Sequence, residues 1–141
     1  MKKTLTFLLL AFIMFGCSSN DDLENSTNLI LGKWTLEAKF FDSGANKDIV
    51  ECEKKSDITF SMNTYNFNNF RINTNGECGP YEKGGNLEYN LKGDILEIKN
   101  YKDELREVKI LFINNNTFEL YEKNQNGNFN NNKSEIWKRN N

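Results

Sequence analysis

Apolar and polar positions alternate along most of this chain. Over residues 29–40, Trp34, Leu36, Ala38 and Phe40 fall on one face and Lys33, Thr35, Glu37 and Lys39 on the other. That is the period-two spacing of a half-buried strand. Gly32 opens the run, and the apolar segment 49–52 follows a loop containing Gly44. Further strands are predicted over 57–62, 65–73, 86–91, 95–98, 105–113, 117–121 and 135–139. Within 86–91, Leu87, Tyr89 and Leu91 share a face; within 105–113, Val108, Ile110 and Phe112 point inward. In the run 65–73, Tyr65 and Phe67 are odd-numbered whereas Phe70 and Ile72 are even, a phase change that a bulge near Asn68 and Asn69 would produce.

Turn signals separate these runs: Asn63-Thr64, Asn75-Gly76, Lys92-Gly93-Asp94, Asn114 to Asn116 and the polar loop 123–133. No stretch of useful length after the leader has the helical period. About eight strands joined by short connections imply an all-β fold, and simple hairpin order favours a small eight-stranded antiparallel up-and-down barrel, because closure removes both edges. A β-sandwich is the alternative.

The first residues follow another logic. Met1-Lys2-Lys3 is a positive n-region, and the apolar run 5–15 is shorter than the roughly 20 residues a membrane helix needs. It ends Met14-Phe15-Gly16-Cys17, which resembles the lipobox of bacterial lipoproteins. The resemblance implies a signal peptide over 1–16 and lipidation of Cys17, with several acyl chains giving stable anchorage. Residues 17–28 read as a flexible tether and 29–141 as the folded domain. The acidic cluster Asp21-Asp22-Leu23-Glu24 is similar to the export signal that sends lipoproteins of Bacteroidota to the outer face of the outer membrane; solvation of a linker is the other reading. The expected location is therefore the outer membrane, lipid-anchored, with exposure at the cell surface left open.

Composition narrows the functional classes. Lysine and arginine number 18 against 20 acidic residues, and Lys2 and Lys3 fall in the leader. A mildly acidic chain argues against nucleic acid as a partner. There is no histidine, which removes the usual catalytic triads, the commonest general base and the commonest metal ligand. A carboxylate pair would be the remaining catalytic device, and Glu51, Glu53, Asp57, Glu77 and Glu82 gather near the cysteines, as ordinary surface charges also do. No enzyme, metal or cofactor is expected. Once Cys17 is acylated, Cys52 and Cys78 are the remaining cysteines, and an oxidising compartment would join them. Asparagine clusters in short runs suited to turns.

Gly32-Lys33-Trp34, the two cysteines flanking an aromatic strand pair, Asn86-Leu87-Glu88-Tyr89 and Gly93-Asp94-Ile95-Leu96 together resemble the lipocalin-like domains of bacterial lipoproteins. The resemblance implies an eight-stranded barrel closed at one end by Trp34, entered through Gly32, with Arg139 of the last strand stacked on the tryptophan and Trp137 on the same face. It also implies a calyx for a small apolar or amphipathic ligand. Phe40, Phe60, Tyr65, Phe67, Tyr89 and Phe112 are the candidate cavity-lining residues, and plain core packing is the competing reading. The alternative function is a structural or interaction lipoprotein, an accessory subunit or inhibitor with a filled barrel, meeting an envelope protein through loops such as 124–133.

Overall fold

A computed structural model describes residues 28–100 and 102–140. The expected signal peptide 1–16, the expected lipidation site Cys17 and the expected tether as far as residue 27 lie outside the described residues. The strands are β1 (Gly32–Phe40), β2 (Asn46–Lys47), β3 (Asp57–Phe60), β4 (Thr64–Ile72), β5 (Cys78–Lys92), β6 (Ile95–Lys99), β7 (Leu105–Asn114), β8 (Thr117–Tyr121) and β9 (Glu135–Arg139). Each main strand pairs antiparallel with its successor, and β1 pairs with β9 to close the sheet, while the two-residue β2 hangs on the end of β1. The result is a closed barrel of eight strands, not a sandwich.

The turns explain the asparagine runs. Three hairpin loops repeat one design, in which an asparagine Oδ1 accepts the backbone N–H groups two and four residues on. Asn73 does so with Asn75 and Glu77, Asn100 with Lys102 and Glu104, and Asn124 with Asn126 and Asn128. The fourth residue of each has positive φ, supplied by Gly76, Asp103 and Gly127. Asparagine here replaces a backbone acceptor and fixes the turn. Through the last of these loops the predicted connection 123–133 extends the barrel wall as a small hairpin, with a bridge between Lys123 and Phe129.

Several expectations need correction. The apolar segment 49–52 lies outside the strands and leads into a single 3₁₀ turn, Glu53–Lys55, at the start of β3. Conversely, the segment around the single proline is strand. Pro80 lies in β5 opposite Phe70, next to Tyr81, which has no partner across the ladder. A bulge is a place where a strand tolerates proline. The irregularity expected near Asn68 and Asn69 falls between Asn69 and Phe70, but the extra residue is on β5, not β4. A second β5 bulge lies opposite Asn66, where Asn86 takes a φ of 56° and its N–H donates to Asn66 Oδ1 at 3.0 Å.

β1 also carries a bulge. Leu36 faces Trp137 and Ala38 faces Ile136, leaving Glu37 extra. Beyond it the alternation reverses, so Lys39, paired with Glu135, turns inward and Phe40 outward. Phe40 therefore does not line the interior; its ring lies 5.2 Å beneath the Lys133 ammonium on the outside of the wall.

Candidate functional site

Inward residues build the barrel interior in tiers. At the closed end Trp34 is fully buried and donates its Nε1–H to the Ile30 carbonyl at 2.7 Å. Its ring packs edge-on to Phe118 at 4.6 Å and lies 6.4 Å from Phe112. The Arg139 guanidinium lies 4.2 Å over the other side of the tryptophan and donates to the carbonyls of Leu31 and Leu29, each at 2.6 Å, and of Asn115 at 2.9 Å. Gly32 completes this plug. Its φ of 112° disfavours any side chain, and a Cβ there would sit 2.9 Å from Arg139 Nη1.

Above the plug a cavity of about 330 Å³ reaches toward the end that carries the asparagine turns. Its walls are two columns of aromatic rings. Phe60, Tyr65 and Phe67 stack with centroids 5.9 and 6.1 Å apart along β3 and β4, and Phe118 stacks on Trp137 at 6.4 Å along β8 and β9. β4 and β8 stand four strands apart in the closed order, so the two columns face each other. Leu96, Ile98 and Val108 fill the wall between them.

Of the aromatic residues picked out from the sequence, Phe60, Tyr65 and Phe67 line this cavity. Tyr89 and Phe112 do not. Both belong to the packed plug: Tyr89 lies edge-on to Phe60 at 5.1 Å and donates its hydroxyl hydrogen to the Ser61 carbonyl at 2.7 Å, while Phe112 packs on Phe118 at 5.9 Å. Phe40 is outside the barrel, for the reason given above. The bond between Cys52 and Cys78 has a Cα–Cα distance of 5.4 Å and ties the 3₁₀ strap to the start of β5.

The carboxylates near the cysteines are not assembled into a pair. Glu51 bonds Lys54 at 2.5 Å, Glu53 pairs with Lys39 at 3.8 Å, Asp57 with Lys33 at 3.2 Å, and Glu77 accepts from Asn73 at 3.4 Å. Only Glu82 reaches the cavity, accepting from Asn69 Nδ2 at 3.4 Å. Among the described residues no group of acidic or cysteine side chains is placed to hold a metal ion.

The upper tier of the cavity contains charges that the sequence reading passed over: Arg106, Glu122 and Glu135. Each continues an inward face, two residues from Val108, Leu120 and Trp137 respectively, and that phase was the available signal. Arg106 is bound to Glu122 at 2.5 Å. Glu135 accepts the Trp137 Nε1–H at 2.9 Å but has no ion pair among the described residues. Burial pushes its carboxyl above the usual range, with that hydrogen bond and the nearby Lys39 charge only partly offsetting the effect. Burial likewise raises the Tyr65 phenol, whose hydroxyl donates to the Lys99 carbonyl at 2.9 Å.

Outside the wall, Glu119 is nearly buried beneath Lys133 and Tyr121. Burial works to raise its carboxyl, but hydrogen bonds from Lys133 and Tyr121 outweigh it and hold the group below the usual range. The same bond to Glu119 pushes the Tyr121 phenol to about 12. This network braces the exterior and does not touch the cavity.

The chain matches the lipocalin-like domain family over residues 30–120. Among solved structures it is similar to a lipocalin-like protein from Bacteroides uniformis, with a TM-score of 0.52 at 15% identity, covering 79% of this chain and 99% of that one. At that identity the likeness speaks for the fold alone. Among curated proteins none matches significantly.

Proposed function

This chain belongs to the lipocalin-like domain family, and from that premise we propose that it is a lipid-anchored, non-catalytic binding protein of the cell envelope whose barrel holds one small amphipathic molecule. The observation that carries the reading is the cavity of about 330 Å³ between two aromatic columns, apolar at the floor and polar at the top. Its size is at the lower end for small-molecule sites, which run from roughly 300 to 1,000 Å³. Such a cavity excludes water from a ligand's apolar body and leaves its head among hydrogen-bonding groups. The absence of histidine favours binding over turnover.

The neutral dye N-phenyl-1-naphthylamine tests the cavity. Its fluorescence should rise on binding to the purified protein, and Ile98→Trp, which puts a bulky indole where an aliphatic side chain lines the wall, should weaken binding at least about tenfold while circular dichroism keeps its β signature. Equal dye binding by the folded variant would place the dye outside the barrel and overturn the reading.

Anchorage is proposed from the sequence Gly16-Cys17. An alkyne analogue of palmitate fed to the cells should label the protein and not its Cys17→Ser variant. Equal labelling of the two would rule out lipidation at that residue.

A further inference from the structure

The cavity's upper tier is unevenly charged, and the pairing within it decides which head group it can receive. Arg106 is the cation a ligand carboxylate would seek, but it is bound to Glu122 at 2.5 Å. Lys39, turned inward by the β1 bulge, pairs with Glu53 at 3.8 Å. Arg106 and Lys39 thus each have a carboxylate. Glu135 and Glu82 remain, both lining the cavity and neither ion-paired among the described residues. An anionic head would share Arg106 with Glu122 and sit beside the Glu135 and Glu82 carboxylates as well, at a cost in repulsion. A cationic head breaks no ion pair, and the Lys39 and Arg106 charges near Glu135 are each offset by a carboxylate, Glu53 and Glu122.

We infer that the cavity takes an organic ammonium, a molecule with a planar or apolar body and a protonated amine, the body lying between the aromatic columns and the amine held by Glu135. The inference rests on the binding function proposed above. Trp137 makes the site specific: its indole N–H fixes the Glu135 carboxylate at 2.9 Å, while its ring forms part of the wall beside that carboxylate. An ammonium seated there would gain a charge-assisted hydrogen bond and the face of an aromatic ring. Glu82, on β5 across the opening from β9, adds a second negative charge at longer range.

Protonation gives the site a pH dependence. The groups facing Glu135 are Lys39 from β1, Arg106 from β7 and Glu122 beyond β8. Because burial raises Glu135, it takes up a proton at a higher pH than an ordinary glutamate, and the neutral acid attracts a cation weakly. Ammonium binding should therefore fall as pH is lowered toward and through the carboxylate range, beginning above the usual value of 4.5.

Three probes of one shape test the inference by titration calorimetry on the purified protein: 4-phenylbutylamine, 4-phenylbutan-1-ol and 4-phenylbutyrate. At neutral pH the amine should bind at least about tenfold more tightly than the alcohol, and the acid more weakly than either. Glu135→Gln should erase most of the amine's advantage over the alcohol and its pH dependence. The alcohol also reports on the folded cavity of the variant. Equal binding of amine and alcohol by the native protein would overturn the ammonium inference and leave the binding function standing. Tightest binding of the acid would overturn it in favour of Arg106. Failure of all three probes would sink both readings, unlike either of those results.

Discussion

Arg139→Ala is expected to lower the unfolding free energy by about 3 kcal/mol, and Arg139→Lys to recover less than half of that loss. The guanidinium makes two bonds of 2.6 Å to the carbonyls of Leu29 and Leu31 and a third of 2.9 Å to Asn115, while covering the Trp34 ring at 4.2 Å. Hydrogen bonds to a charged group contribute about 1.5–3 kcal/mol each, and the ring contact about 0.5–2 kcal/mol, but the contacts share one group and do not add. Truncation would release the segment 29–31 that lies against the barrel's end, and with it the Ile30 carbonyl that accepts from Trp34. A lysine ammonium is a single point and cannot reach two carbonyls of one strand entry while lying flat on an indole. Against a typical domain stability of about 5–15 kcal/mol the loss is large. Urea unfolding followed by tryptophan emission checks it, and a midpoint unmoved in Arg139→Ala would show that the plug holds without its cation.

The plug and the cavity differ in how far the sequence discloses them, and the difference is physical. Gly32-x-Trp34 and Arg139 stand at strand ends, where no irregularity intervenes between the pattern and the fold. Phe60, Tyr65 and Phe67 lie on β3 and β4 before any change of phase, and alternation alone assigns them to the interior. Phe40 lies beyond the Glu37 bulge, which inverts every side chain after it. Nothing in the local alternation of Glu37-Ala38-Lys39-Phe40 signals an extra residue, because the register of β1 against β9 is a property of two distant segments. The same holds for β5, where the phase change of its neighbour was legible but not the strand that carried the added residue.

Hydrophobicity hid the rest of the site. Arg106, Glu122 and Glu135 occupy inward phases, and a reading that assigns polar residues to solvent sets them aside. They can face inward because the barrel is open at that end and each finds a partner: Arg106 and Glu122 each other, Glu135 the Trp137 indole. Charged residues that continue an apolar inward phase near the end of a barrel strand are therefore the signal to read for a ligand's head group. The asparagine turns are the opposite case, where composition was plain but its purpose emerged only with the repeated Oδ1 acceptance in three loops.

Removing the disulfide with Cys52→Ala and Cys78→Ala together is expected to cost about 3.5 kcal/mol, with the damage concentrated at the open end. The bond spans a sequence separation of 26, and on chain-entropy grounds a loop of that length restricts the denatured chain by about that amount. In the native barrel, the bond joins the 3₁₀ strap to the first residue of β5, where the β4–β5 hairpin projects beyond its bulge at Tyr81. Deeper in the barrel the strap has a second attachment that needs no cysteine: buried Ser56 accepts from Phe70 N–H through its hydroxyl at 2.9 Å and from Leu36 N–H through its carbonyl at 3.0 Å. The two attachments should separate in hydrogen exchange. Amides around Ile72 and Gly79 should lose protection in the double variant or in reduced protein, whereas Trp34 and Val108 in the core should weaken only by the global amount. A uniform loss across the barrel would mean that the bond acts through the denatured chain alone. A stability loss below about 1 kcal/mol would mean that the strap is held by Ser56 and the bond is dispensable. If the open end does loosen selectively, Glu53 leaves with the strap, and Lys39 becomes free to pair with Glu135. Reduction should then weaken 4-phenylbutylamine binding more than 4-phenylbutan-1-ol binding, linking the covalent staple to the charge that receives the ligand.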